Sequence, residues 1–122
     1  MAKTLAIVFG IVFVLVGLLG FVSNPLVGMG AFFETNALHN VVHLLIGLIL
    51  LAVAFWSPMQ SSMWLKIMGV VYLVIAVLGF LLVSGTGELF GLVTLNPADH
   101  WLHVVLGVVL LAAGFMYGDE PM

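Results

Sequence analysis

Residues 35–55, TNALHNVVHLLIGLILLAVAF, and residues 95–115, LNPADHWLHVVLGVVLLAAGF, are two versions of one segment. They align without a gap, pairing Asn36 with Asn96, His43 with His103 and Gly47 with Gly107. The likeness extends toward the N-terminus of each copy, where residues 10–21 (GIVFVLVGLLGF) overlay residues 69–80 (GVVYLVIAVLGF). The chain therefore reads as two copies of a helix pair, and its few polar groups recur at equivalent places.

Composition gives the class. Of the 122 residues, 65% are hydrophobic and 6% charged, too few polar groups to cover a soluble fold. Four apolar stretches, about 5–22, 38–56, 64–83 and 100–117, each approach the ~20 residues that a hydrocarbon core of ~30 Å requires. The expected fold is all-α: a four-transmembrane-helix bundle made of two same-orientation helix-pair repeats. It forms one integral membrane domain over residues 1–122, with repeat one about 5–56 and repeat two about 64–117. Two spans per copy return the chain to its starting side, so the pseudo-twofold axis is expected along the membrane normal. The first stretch has a lysine before an apolar run, as a secretory signal does, but its likeness to residues 69–80 argues that it is retained.

Lys3 and Lys66 are the only basic residues, and both fall on the side shared by the N-terminus and the short second connection. The positive-inside rule puts that side, and both termini, in the cytoplasm of a multi-pass bacterial inner (or photosynthetic) membrane protein. The opposite side carries connections 23–37 and 84–99, with Glu34, Glu88, Asp99 and the histidines. A net charge of −3 and the lack of a basic patch exclude nucleic acid as a partner. There is no cysteine for a disulfide or a thiolate site. Gly10, Gly17 and Gly20, with Gly69, Ala76 and Gly79 as their counterparts, fall on one helical face and predict close helix packing. Trp56, Trp64, Trp101 and Tyr117 lie at span ends, as aromatic belts do.

Chemistry, where there is any, lies at the starts of the second and fourth spans. Asn36 and Asn96 are N-cap residues, with Pro97 at the first helical position and Asp99 at the third. His43 and His103 each follow their cap by seven residues, which places them about 10 Å deeper. His39 and Asp99 stand one turn before them, and His100 is one turn from His103. Around the axis, His39, His43, Asp99, His100 and His103 make a candidate set of transition-metal ligands. Alternatively His43 and His103 act as axial ligands to a haem or chlorophyll, with Gly47 and Gly107 leaving room for a flat macrocycle. The plainest alternative has each histidine donating to a carbonyl or asparagine of a neighbouring helix. In that reading His39 and His100, nearer the surface, are solvated, and Asp99 is a helix cap.

At these residues the chain resembles the uncharacterised bacterial membrane proteins grouped as domain of unknown function 4383. The likeness rests on the glycine and phenylalanine pattern of residues 10–21 and its repeat at 69–80. It also rests on Asn-x-x-His-Asn-x-x-His from Asn36 to His43 and on Asn-Pro-Ala-Asp-x-x-Leu-His from Asn96 to His103. The resemblance implies a four-helix membrane protein and brings no activity, substrate or cofactor.

The spans offer no nucleophilic triad, phosphate loop or paired catalytic carboxylates, and polar groups are expected only near helix ends, so neither an enzyme nor a transporter is expected. The expected function is that of a non-enzymatic accessory or structural subunit of a larger membrane complex, photosynthetic or respiratory. Its partners are the lipid bilayer and either other membrane subunits or further copies of itself. The alternative is a tetrapyrrole- or metal-binding membrane protein using the paired histidines.

Overall fold

A computed structural model describes residues 1–118. Its helices are α1 (Ala2–Leu19), α2 (Ala37–Trp56), α3 (Ser61–Leu82) and α4 (Pro97–Tyr117). The shortest has 18 residues and the longest 22. At 1.5 Å per residue these rise about 27 and 33 Å, which matches a bilayer core of about 30 Å. All four are long and apolar enough to cross a membrane. The protein is a multi-pass integral membrane protein built as a bundle of four helices.

The helix ends differ from the expected bounds for local reasons. The Asn24 side chain folds back to donate to Leu19 O at 2.8 Å, and its oxygen accepts the N–H groups of Leu26 and Val27 at 2.9 Å. That stops α1 at Leu19, short of the expected Val22, because its last carbonyl is already capped. A 3₁₀ turn over Pro58–Gln60 leads straight into α3, which therefore begins at Ser61. At α4 the helix starts at Pro97 behind the Asn96 cap, as those two residues predict, three residues ahead of the apolar stretch.

Both long connections contain strand ladders that the sequence did not announce. Strands β1 (Val27–Gly28) and β2 (Phe33–Glu34) pair in parallel. The chain can turn so tightly between them because Gly28 and Gly30 adopt φ of 138° and 73°. Strands β3 (Gly87–Leu89) and β4 (Val93–Leu95) form an antiparallel hairpin. The two ladders lie at the same end of the bundle, over the starts of α2 and α4.

Packing is densest within the pairs α1/α2 and α3/α4, and much thinner between them. The glycines explain why. A Cβ on Gly47 would stand 2.6 Å from Gly10 O, and one on Gly10 would stand 3.0 Å from Gly47 O. The second pair repeats this, with 2.9 and 3.0 Å between Gly69, Gly107 and each other's carbonyl oxygens. Backbones in such contact exchange dispersion along the whole seam. Gly47 and Gly107 are thus filled by the neighbouring helix, and the room expected there for a macrocycle does not exist.

Between the pairs lies a layer centred on Phe13, Ile46, Leu50, Tyr72 and Leu110. The outer helix faces present Val8, Ile11, Leu15, Leu45, Leu48, Val70, Val74, Val105 and Val108, all exposed. In water such surfaces would drive aggregation, whereas in a bilayer they meet lipid. At the end away from the ladders, buried Ser62 donates to Gly114 O at 2.6 Å. Lys66 lies there too, its Nζ 4.8 Å from the centroid of the Phe115 ring.

Candidate metal centre

The site begins with two asparagines. Asn36 Oδ1 accepts the His39 N–H at 2.9 Å, and Asn96 Oδ1 accepts the Asp99 N–H at 3.0 Å. Each oxygen satisfies a helix donor that would otherwise be left without a partner. The amide nitrogens point the other way. Asn36 Nδ2 donates to Leu92 O and Asn96 Nδ2 donates to Phe32 O, both at 2.9 Å. Each cap asparagine thus starts its own helix and fastens the connection that belongs to the other pair.

With the helix starts fixed, the register of the histidines follows. His39, His43 and His103 converge, each offering a ring nitrogen, and these three atoms lie within 4.8 Å of one another. The ring centroids are 4.8 Å apart for His39 and His43, 5.8 Å for His39 and His103, and 6.4 Å for His43 and His103. All three side chains are at most 4% exposed. The cluster draws on both helix pairs, two histidines from α2 and one from α4.

Two of the three imidazoles are oriented through Nδ1. His39 Nδ1 is 2.7 Å from Thr94 O, and a carbonyl only accepts, so Nδ1 carries the hydrogen and Nε2 the lone pair. His43 Nδ1 shares a hydrogen bond with Tyr72 Oη at 3.2 Å. Such partners on the far nitrogen commonly hold metal-binding histidines in place. His103 differs, because its Nδ1 is buried without a hydrogen-bond partner. A buried orphan of this kind calls for a water or an ion.

A cavity of about 120 Å³ opens against the cluster, lined by His39, His43, His103 and Tyr72 with apolar walls from Val42, Ile75, Leu89, Val93 and Leu95. Its surface is almost wholly apolar, so an ion would sit among the ring nitrogens beside it and not in its interior. Tetrahedral zinc with bonds of 2.0–2.1 Å needs nitrogens about 3.3 Å apart, so the rings would close by at most about 1.5 Å on binding. Three histidines also leave one position for water.

Two expected members stay outside. Asp99 is 2% exposed, but its carboxylate accepts the Asn96 N–H at 3.0 Å and completes a capping box. His100 points into the α3/α4 seam, its ring over Gly79, 5.1 Å from the Phe80 centroid, with Nε2 donating to Val83 O at 3.3 Å. The two histidines expected to be solvated are both buried, His39 at 3% and His100 at 2%. Conversely, Tyr72 stands mid-span in α3 where no polar group was expected, and it is 2% exposed. The repeat alignment held the signal, since Tyr72 is the counterpart of Phe13 and brings the one hydroxyl that breaks the match. Phe13 stacks on both, 5.4 Å from Tyr72 and 6.1 Å from His43.

The sequence profile of a family described as a domain of unknown function, DUF4383, matches residues 3–116. The chain belongs to the DUF4383 family. The match takes in all three clustered histidines, Tyr72 and both cap asparagines of this DUF4383 chain. No curated protein and no solved structure matches it.

Proposed function

We propose that this DUF4383 protein is a non-enzymatic membrane subunit that holds one divalent transition-metal ion on His39, His43 and His103. The observation that carries the reading is the convergence of three buried imidazoles from two helix pairs, their nitrogens within 4.8 Å of one another and His103 Nδ1 without a partner. Three neutral nitrogen donors with no carboxylate suit zinc or copper and not magnesium or calcium, which take oxygen. Tyr72 and Thr94 hold two of the ligands in place. The cavity walls supply no further acid, base or nucleophile, which favours holding an ion over turning over a substrate.

Lys3 and Lys66 lie away from the ladder end, so the positive-inside rule puts the cluster toward the outside of a bacterial inner membrane with both termini cytoplasmic. The broad apolar flanks support lateral packing in a larger assembly.

An axial pair on a tetrapyrrole has weaker support. The His43 and His103 rings are 6.4 Å apart and inclined by 41°, and Phe13, Tyr72 and His39 pack around them where a macrocycle would lie.

The test is to purify the protein in mild detergent, strip it with chelator and titrate with zinc. One zinc per chain is expected, with binding lost in His43→Ala/His103→Ala. Absence of stoichiometric zinc in the wild type, or its retention in the double variant, would overturn the assignment.

A further inference from the structure

The four helices do not hold together evenly. Within each pair the backbones meet at glycines, Gly10 against Gly47 and Gly69 against Gly107, so each pair is a closely packed unit. Between the pairs there is no glycine contact of this kind among the described residues, and packing is far sparser. The hydrogen bonds and ring contacts that join the pairs lie between the ladders and mid-bundle, above an apolar layer that continues to the other end. They are the two asparagine bridges, the His39 bond to Thr94 O, the Tyr72 bond to His43, and the stack of Phe13 on Tyr72. The histidine cluster sits within that same zone and takes its ligands from both pairs.

From this placement we infer that the ion is a staple between the two helix pairs, and that its binding sets how the pairs dock. The inference rests on the three-histidine site proposed above and adds its structural consequence. Two ligands on α2 and one on α4 make the ion the strongest link across the thin seam. Because the ligands come from both α2 and α4, holding them around one ion restrains how far those two helices can separate near the ladders. A bound ion stabilises the docked arrangement only to the extent that the undocked one binds it less well. Here the undocked pairs cannot present three ligands at once. At the other end the pairs are joined by the short turn over Pro58–Gln60, so the stapled motion is a hinge about that turn that opens at the ladder end.

The absence of cysteine makes the full chain a ready host for spin-label pairs. Leu48→Cys with Val108→Cys reports across the seam from two exposed, lipid-facing positions, and Val12→Cys with Leu48→Cys reports within one pair. Distance distributions are measured by electron paramagnetic resonance on metal-free protein, after adding zinc, and in a His103→Asn background. Zinc content is read on the same samples. The expected result is that zinc narrows the cross-seam distribution at least twofold, leaves the within-pair one unchanged, and does neither when His103 is replaced. A cross-seam distribution unmoved by stoichiometric zinc refutes the staple while leaving the site standing. Equal narrowing of both distributions also refutes it, since the ion would then be stiffening everything. No bound zinc at all would remove both the staple and the site beneath it.

Discussion

Replacing Tyr72 by phenylalanine deletes one oxygen and little else. Phe13 occupies the equivalent place in the other pair and is as well buried, at 2% exposure, so the ring alone fits such a slot without leaving a hole. What is lost is the 3.2 Å bond to His43 Nδ1. A buried hydrogen bond contributes about 0.5–1.5 kcal/mol, and leaving its partner unsatisfied costs about 1–3 kcal/mol. The metal-free Tyr72→Phe protein should therefore be less stable by about 1–2 kcal/mol. Zinc binding should weaken further, because His43 is then free to turn. Loss of an orienting partner typically lowers metal affinity 10- to 100-fold, equivalent to about 1.4–2.7 kcal/mol. Competition against a chromophoric chelator gives the affinity, and thermal unfolding in detergent with excess chelator gives the stability. The two readouts separate packing from orientation. If stability falls as expected while zinc affinity stays within twofold of wild type, Tyr72 does not position a ligand and the reasoning fails.

Other substitutions probe the remaining parts. Asp99→Asn should leave zinc affinity unchanged, since its carboxylate serves the helix cap; a tenfold loss in the chelator assay would restore it to the ligand set. Gly47→Ala should destabilise the bundle by about 1–3 kcal/mol through overpacking against α1, read by thermal unfolding. Lipid-facing Val108→Ala should do far less in the same assay, and equal effects would refute the glycine seam. Asn96→Ala removes a cap and a bridge together and should cost about 1–2 kcal/mol of stability. Protein purified from its native membrane should show no Soret or chlorophyll band, and a band lost on changing His43 or His103 would revive the tetrapyrrole reading.

Much of this was legible in the chain because the repeat marks register. Asn36 and Asn96 located the starts of α2 and α4, and the equal offsets to His43 and His103 put both at one depth. His100 misled because helical spacing alone cannot tell the two faces of a span that is apolar all round. The alignment pairs His100 with Asn40, and both turn out to sit over glycines, Gly79 and Gly20, inside their own pairs. Tyr72 reads in the sequence as another aromatic in an apolar run, although its counterpart Phe13 shows that the fold does not need the hydroxyl. The ladders escaped because strands of two and three residues have too few positions for an alternating pattern. The end of α1 depended on what the Asn24 side chain reaches, which hydropathy does not encode.

The crossed asparagine bridges bear on timing more than on affinity. Leu89, Val93 and Leu95 roof the cavity, and their hairpin is fastened by Asn36 from the opposite pair. The first connection is fastened by Asn96 in return. Neither connection can lift without disturbing the amide that begins the other pair's second helix. Opening of either connection therefore loosens a bond at the start of the other pair's second helix, and an ion held on the proposed histidine site would leave through that opening.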